Sequence, residues 1–197
     1  AQRGVSMALC TGSIGIISGE LPPAEEYMSH GGRVGLGTDQ APGNNCNNLF
    51  NEMKFTAILH KYKHSSPTVF PAWKVLRMAT IEAAQSMGIA EQVGSLCPGK
   101  KADVVIVDLY SPAMSPVLSG PVRNIVPNLV YSASGSEVET VIIDGQVIVE
   151  NHVLQTVNEA QEVVSANEAA ERICQRLRDT GWDQELPLAQ WTREELY

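Results

Sequence analysis

The segment Arg33-Val34-Gly35-Leu36-Gly37-Thr38-Asp39 constrains the fold more than any other part of this sequence. It is an apolar run that ends in a single carboxylate, and its first residues predict a buried β-strand. Such runs are typical of parallel sheets that are covered on both faces. Functional groups in α/β proteins gather at the carboxyl ends of such strands, so the pattern places Asp39 where a functional side chain is expected.

The composition describes a folded protein, since 44% of the 197 residues are hydrophobic and 18% are charged. The formal net charge of -8 offers no basic field for phosphates, which argues against nucleic-acid and anionic-membrane partners. No apolar run approaches the roughly 20 residues that span a bilayer. The first four residues include no methionine and do not resemble a signal peptide, so we expect a cytoplasmic protein whose sequence opens within a structure.

The cysteines and histidines do not predict a complete zinc site in this chain. The cysteines are scattered without a Cys-x-x-Cys pair, and we interpret them as reduced packing thiols. We interpret the histidines as residues of helix ends and loops that do not pair on one element, whereas a catalytic zinc takes about three protein ligands. The residues in question are Cys10, Cys46, Cys97 and Cys174, and His30, His60, His64 and His152.

The first half of the sequence predicts β/α units. Two apolar runs indicate strands, and Gly31-Gly32 is typical of the end of the helix between them. Asn48 is the predicted N-cap of the helix that follows the Asn-rich loop. The predicted elements are a strand at 5–9, a long loop at 10–21, a helix at Ala24–Ser29, a strand at 33–38, a polar loop at 40–48 and a helix at 49–62.

The second half predicts a helix, a small β module and a helical tail. Asp144-Gly145 lies between two apolar runs, which is the strongest short signal for a β-hairpin. The tail at 180–197 is expected to pack as an arm or to lie at a subunit contact, since it holds Trp182 and Trp191 among acidic residues. The predicted elements are a helix at 71–87, strands at Val104–Val107, 125–132, Val138–Ile143 and Gln146–Glu150, and a helix at 158–177.

Asp39 is the first candidate for chemistry, and a plain structural role is the alternative. A carboxylate at the end of a buried strand is unfavourable unless it is hydrogen-bonded, ion-paired or bound to a metal. It serves equally well as a cap for the next loop. The asparagines that follow it, Asn44, Asn45, Asn47 and Asn48, are suited to orienting a polar substrate or to ordinary loop capping. Neither a Gly-x-Ser-x-Gly elbow nor a dinucleotide-binding glycine pattern is present.

Four motifs together resemble the C-terminal part of an enzyme of the amidohydrolase superfamily. The resemblance is to the subgroup that holds the triazine hydrolases, the guanine and cytosine deaminases, and the methylthioadenosine/adenosylhomocysteine deaminases. The motifs are Gly37-Thr38-Asp39 followed by Leu49-Phe50-Asn51-Glu52-Met53, Ala79-Thr80-Ile81-Glu82-Ala83-Ala84 with Met87-Gly88, Gly94-Ser95-Leu96 through Val107-Asp108, and Val141-Ile142-Ile143-Asp144-Gly145.

The resemblance implies an α/β fold that is the C-terminal portion of a metal-dependent (β/α)8 barrel. Residues 1–93 would supply the last β/α units of the barrel, residues 94–155 part of a composite β-sandwich, and residues 156–197 a helical tail. A mononuclear zinc or iron would lie at the barrel mouth, held by histidines of earlier strands and by the aspartate of the last strand. By residue match, Asp39 is that aspartate, as metal ligand and as base toward the attacking water.

The implied reaction is hydrolysis of a C–N bond, or of a C–Cl bond as in the triazine relatives, at an amidine-like ring carbon. Thr11, Ser13, Asn44 and Asn45 would line the pocket for a small N-heterocyclic substrate. The sequence Leu9-Cys10-Thr11 departs from the His-Cys-Pro that close relatives often carry after this strand, which disfavours a purine-deaminase specificity.

The resemblance implies that the metal-binding histidines would lie on strands that precede residue 1, so activity would require a missing N-terminal half of the barrel. We also expect a homo-oligomer. Two rival interpretations stay open at this point: a non-catalytic fragment or assembly subunit, and an unrelated α/β binding domain in which Asp39 only caps a loop.

Overall fold

The computed structural model describes residues 1–194, apart from the side chains of Leu188 and Thr192. The chain divides into two compact units, Ala1–Val153 and Leu154–Tyr197. The last three residues of the tail predicted at 180–197 lie outside the described residues. Among the described residues, no helix is both long and apolar enough to cross a membrane.

The first unit begins with two parallel strands and the helices that surround them. Strand β1 (Ser6–Leu9) pairs in parallel with β2 (Arg33–Leu36), with Ser6 opposite Arg33 and Leu9 opposite Leu36. This confirms the predicted β/α unit. The helices are α1 (Thr11–Ser18), α2 (Ala24–Ser29), α3 (Ala41–Asn44), α4 (Leu49–Lys63), α5 (Ala72–Ala79), α6 (Ile81–Met87) and α7 (Ile125–Tyr131).

A hydrophobic core joins β1 and β2 to α2, α4, α5 and α7. Its most buried members are aliphatic and methionine side chains, whose removal from water is the main favourable contribution to folding. Three of these four helices, α4, α5 and α7, each contribute two or more buried residues, which are spaced three or four positions apart and so lie on one helix face. The core includes Leu9, Ala24, Val34, Leu36, Met53, Ala57, Phe70, Val75, Met78, Val126 and Val130.

The predicted loop at 10–21 is wrong, because most of it forms α1. Glycines at positions 12 and 15 lower its intrinsic helix propensity. The first turn of α1 is nevertheless buried at Thr11, Gly12 and Ser13, where it contacts α3 and α4. Tertiary packing therefore stabilises a helix that the local sequence does not favour.

The predicted strand at 125–132 is also wrong, because these residues form helix α7. Val126 and Val130 are four residues apart and both are buried, so the apolar run faces the core with a helical period. Pro127 lies in the first turn, where a missing N–H group is tolerated. A short apolar run does not by itself distinguish a buried strand from a buried helix.

The predicted helix at 71–87 consists of two helices that meet at Thr80. The backbone of Thr80 has φ -126° and ψ -103°, which is not helical, and its hydroxyl donates to the Leu76 carbonyl. The break turns α6 onto β2, where an added Cβ on Gly35 would lie 2.7 Å from Ala83 Cα. Close backbone packing between β2 and α6 thus depends on a glycine.

The second sheet follows the order β3-β4-β5-β6. Its strands are β3 (Val104–Val107), β4 (Val138–Ile143), β5 (Gln146–Glu150) and β6 (Val153–Leu154). The pairs β3–β4 and β4–β5 are antiparallel. Asp144 and Gly145 both have positive φ, 50° and 80°, as a two-residue hairpin turn requires, and the predicted hairpin is confirmed.

The second unit contains α8 (Glu159–Thr180) and α9 (Pro187–Arg193). Asn158 caps α8 by accepting a hydrogen bond from the Gln161 N–H group. No residue of α8 is buried, although its predicted apolar face includes Val163 and Ile173, which are 56% and 58% exposed. A subunit contact made by the tail stays a prediction.

Asn48 is confirmed as the N-cap of α4 and offers a stability test. Its Oδ1 accepts from the Phe50 and Asn51 N–H groups, and its Nδ2 donates to the Ser134 carbonyl. We expect Asn48→Ala to lower the free energy of unfolding by about 1–2 kcal/mol, measured by urea denaturation. Asn48→Asp keeps the cap and loses only the Ser134 bond, so its loss should be smaller. Equal losses would show that the cap contributes little.

Candidate active site at the carboxyl end of two parallel strands

Asp39 lies three residues beyond the end of β2, at the carboxyl end of the parallel pair. Its backbone has a φ of 62°, in the left-handed region that aspartate adopts more readily than most residues. Strand β2 is buried from Val34 to Leu36, whereas Asp39 itself is exposed. The chain thus leaves the core and turns sharply to present a carboxylate at the surface of this unit.

Two hydrogen bonds hold the Asp39 carboxylate. The Ser13 hydroxyl donates to Oδ2 at 2.6 Å, and the Gln40 N–H group donates to Oδ1 at 2.8 Å. The bond from Ser13, followed by that from Gln40, lowers the pKa of Asp39 below its usual value. The group is therefore held as an anion, which is the form that accepts a proton or binds a cation.

The other predicted site residues lie in α1, which holds Thr11 and Ser13, and at the end of α3, which holds Asn44 and Asn45. Thr11 is fully buried and its hydroxyl lies 2.9 Å from that of Thr56 on α4, so its polar group faces that helix. Asn44 is 6% exposed and donates from Nδ2 to the Thr38 carbonyl at 2.6 Å. Asn45 is exposed and ends α3 with a φ of 58°. The structure therefore brings Ser13 directly to Asp39, while Asn44 braces the loop that carries it.

The structure adds Glu52, which the sequence interpretation did not select. Its side chain is 1% exposed, and its two carboxylate oxygens lie 3.0 and 3.3 Å from the Gly12 nitrogen, which donates to them. Asn44 Nδ2 lies 3.4 Å from Oε2. Burial is the main cause that raises the pKa of Glu52 above its ordinary value. Glu52 thus connects α4 to the first turn of α1 and to the loop beside Asp39.

A sequence signal for Glu52 exists in the spacing of α4. Glu52, Thr56 and His60 recur every four residues, and all three are at most 1% exposed. This spacing places them on one helix face. Their contacts are with Gly12, Thr11 and Glu25, which belong to other elements. Polar residues at helical spacing therefore indicate the buried face of α4, which a search for apolar residues alone does not find.

Glu52 predicts a pH dependence of stability. Because its pKa is higher in the folded chain than in the unfolded one, the folded state binds more protons and loses stability as pH rises through that interval. We expect the unfolding free energy of the wild type, relative to Glu52→Gln, to fall as pH rises from below the ordinary glutamate pKa to above the raised one. Urea denaturation across that range measures the difference. A difference that is constant with pH would contradict the shift.

Potential metal ligands do not gather around Asp39 within the described residues. In that part of the chain, the one group of three such side chains is Glu25, His60 and His64. The interpretation that no two histidines pair on one element is wrong, because His60 lies in α4 and His64 is its C-cap. All four cysteines are free, as predicted. Asp39 fits a metal as a single anionic ligand, and no other ligand among the residues that the structure describes completes a site around it.

The sequence profile of the amidohydrolase family matches residues 1–148. The chain belongs to the amidohydrolase family.

Among curated relatives, a 5'-deoxyadenosine deaminase of Methanosarcina mazei is 38% identical over 155 residues, which are 79% of this chain and 34% of that protein. A 5-methylthioadenosine/S-adenosylhomocysteine deaminase of Acetivibrio thermocellus is 38% identical over 149 residues, 76% of this chain and 33% of that protein. The chain thus spans about a third of the length of these relatives.

Solved structures agree on the fold. An adenosine deaminase from Xanthomonas campestris with bound zinc superposes with a TM-score of 0.81 at 29% identity, covering 88% of this chain and 38% of that one. An atrazine chlorohydrolase from Arthrobacter aurescens, complexed with zinc, gives a TM-score of 0.69 at 26% identity, covering 86% of this chain and 36% of that one. The predicted α/β class and the family resemblance are confirmed.

Proposed function

We propose that this chain is the C-terminal part of a zinc-dependent hydrolase that removes an amino group from a nucleoside-like heterocycle. In that reaction water replaces the amine at a ring carbon, and ammonia leaves. The observation that carries the proposal is Asp39, an ionised carboxylate held by Ser13 and Gln40 at the carboxyl end of a parallel strand, in a chain of the amidohydrolase family. Iron in place of zinc, and a C–Cl substrate in place of an amine, are the variants that the family leaves open.

Asp39 has two roles in this proposal. It would hold the metal together with ligands from elsewhere in the complete enzyme, and a bound zinc lowers the pKa of water toward neutrality. Asp39 would also take up a proton from water and give it to the departing nitrogen. Ser13 orients the carboxylate through its 2.6 Å bond. Asn44 holds the preceding loop, and Thr11 fixes the start of α1, so both act by positioning.

The architecture proposed for the complete enzyme follows the same match. Residues 1–93 would form the last β/α units of a (β/α)8 barrel, residues 94–155 part of a β-sandwich, and residues 156–197 a helical tail. Within the described residues β1 pairs with β2 alone, whereas each strand of a closed barrel has a neighbour on both edges. This supports further strands beside β1 in the functional protein, supplied by a longer chain or by a second one.

The substrate class rests on the relatives, which are deaminases of purine nucleosides by name. Leu9-Cys10-Thr11 replaces the His-Cys-Pro expected of close relatives, so the contact with the purine would differ. Small N-heterocycles that carry an exocyclic amine therefore form the panel to be tested. 5'-Deoxyadenosine, 5-methylthioadenosine, S-adenosylhomocysteine, guanine and an aminotriazine cover it.

An assembly subunit without activity of its own is the second candidate, because Asp39 has no further metal ligand beside it among the described residues. These two candidates are distinguished by tagging the protein in its source organism, purifying it and measuring its intact mass under denaturing conditions. A chain much heavier than 21.3 kDa, or a second polypeptide that co-purifies, is expected together with zinc-dependent ammonia release from the panel. A lone 21.3 kDa species without turnover would favour the assembly subunit. A complete protein that releases no ammonia from any of these compounds would refute the deaminase.

A further inference from the structure

Three potential metal ligands meet at the C-terminal end of α4. Glu25 belongs to α2, His60 lies in the last turn of α4, and His64 caps that helix. The Glu25 Oε1 atom lies 2.6 Å from His60 Nδ1 and 3.3 Å from His64 Nε2. One atom from each of the three side chains falls within 4.8 Å of the others.

The Glu25–His60 hydrogen bond leaves part of both side chains without a partner. His60 is fully buried and its Nε2 has no hydrogen-bond partner, and the Glu25 Oε2 atom is buried without one as well. A buried polar atom without a partner costs about 1–3 kcal/mol. Such atoms are few in native proteins. Glu25 Oε2 belongs to the carboxylate that contacts both histidines. His60 Nε2 lies across the imidazole ring from the Nδ1 atom that contacts Glu25, so an ion bound by Nδ1 would leave it unpaired.

We propose that Glu25, His60 and His64 form a Zn²⁺ site that joins α2 to the end of α4. Two imidazoles and one carboxylate are a known zinc ligand set, and a fourth position is left for water. Zinc bonds of about 2.0–2.1 Å place tetrahedral ligand atoms about 3.4 Å apart. The 3.3 Å separation of Glu25 and His64 already matches this, and the 2.6 Å pair opens by less than about 1 Å to admit the ion.

Access and charge agree with an ion at this place. The His64 side chain is 39% exposed and that of Glu25 is 20% exposed, so the cluster is open to solvent on one side and closed by His60 on the other. The neighbouring ammonium groups are engaged, Lys61 with the Ala57 and Phe70 carbonyls and Lys63 with the Leu21 carbonyl.

The site is separated from Asp39 along helix α4. Asp39 precedes the start of α4 in the chain, whereas His60 and His64 lie at the end of that helix. Along α4, His60 is eight residues from Glu52, which corresponds to roughly 12 Å of helix. Zinc bound here would not touch the carboxylate assigned to chemistry, so the proposal does not depend on the deaminase activity.

The test is a titration of the metal-free Asp39→Asn chain with ZnCl2 by isothermal calorimetry. The Asp39→Asn background removes the other expected ligand. We expect one equivalent of zinc to bind, and His64→Gln to weaken binding by roughly tenfold or more, as removal of groups around zinc sites does. His30→Gln is the matched control, since His30 ends α2, is exposed and bonds only locally to Glu26 and Ser29. That control should bind as the parent does.

A second probe keeps the result independent of folding. CoCl2 bound by two imidazoles and a carboxylate gives the visible absorption of four-coordinate cobalt, and Glu25→Gln should reduce it while the far-ultraviolet circular dichroism stays unchanged. Binding that is absent in the parent, equal in His64→Gln, or lost equally in His30→Gln would overturn the proposal. In each of those cases Glu25 and His60 form a hydrogen bond without a metal.

Discussion

Asp39→Asn is expected to reduce kcat of the complete enzyme by roughly 10³-fold or more, close to the limit of detection. Asparagine has the same shape but cannot take up the proton from water, and it is a weaker ligand for a cation. Asp39 is exposed, and asparagine keeps an oxygen that can accept a hydrogen bond from Ser13 or Gln40, so the fold should be retained. The measurement is the rate of ammonia release together with the zinc content of the purified protein.

Asp179→Asn is the matched control for that experiment. It makes the same chemical change on α8, where Asp179 accepts a hydrogen bond from Gln175 at the surface. Its kcat should equal that of the wild type. If Asp39→Asn also retains full turnover, Asp39 only caps its loop and the catalytic assignment is wrong.

Gly35→Ala is expected to have the largest effect on stability, a loss of about 1–3 kcal/mol in the free energy of unfolding. The new Cβ would lie 2.7 Å from Ala83 Cα and 3.1 Å from Ala83 Cβ. Since the nearest of these atoms belongs to the helix backbone, α6 must move away from β2 to relieve the contact. Urea denaturation measures the loss.

Gly15→Ala makes the same substitution where there is room. Gly15 lies in α1 with a helical backbone, and an added Cβ would meet no atom within 4 Å. Alanine at such a position stabilises a helix by about 0.5–1 kcal/mol. The two variants should therefore shift stability in opposite directions. Two shifts of the same sign and size would show that the close approach at Gly35 does not limit packing.

The sequence predicted those elements whose signals are local. Asn48 at the start of α4 and Asp144-Gly145 between β4 and β5 are set by their own side chain or backbone conformation, and the structure has both. Strand β2 was predicted because its apolar run is continuous. These features depend on residues within a few positions of one another, so the sequence alone contains their cause.

Elements that depend on distant partners were predicted incorrectly or not at all. Helix α1 forms where Gly12 and Gly15 argue against it, because Glu52, forty residues away, accepts from the Gly12 N–H group. The apolar run at 125–132 predicts a strand where helix α7 forms, because the core that buries Val126 and Val130 is not visible in so short a run. Tertiary contacts therefore determine the conformation of both α1 and α7.

The candidate site likewise has features with a local sequence signal and features that depend on tertiary contacts. Asp39 was predicted from the residues that precede it and from the family motif. Its hydrogen bond with Ser13 and the buried position of Glu52 follow only when α1 and α4 are in place. The assignments of Thr11, Asn44 and Asn45 to substrate stay predictions, since in this chain the polar groups of the first two bind neighbouring protein atoms.

The buried polar residues Glu52, Thr56 and His60 determine how α4 packs against α1 and α2. A helix with a purely apolar inner face can rotate or shift by one turn at modest cost, because one methyl group replaces another. Here each such shift would separate a carboxylate, a hydroxyl and an imidazole from Gly12, Thr11 and Glu25, leaving buried polar groups unpaired at about 1–3 kcal/mol each. Shifted arrangements of α4 are thereby disfavoured, which favours one register of α4 against α1.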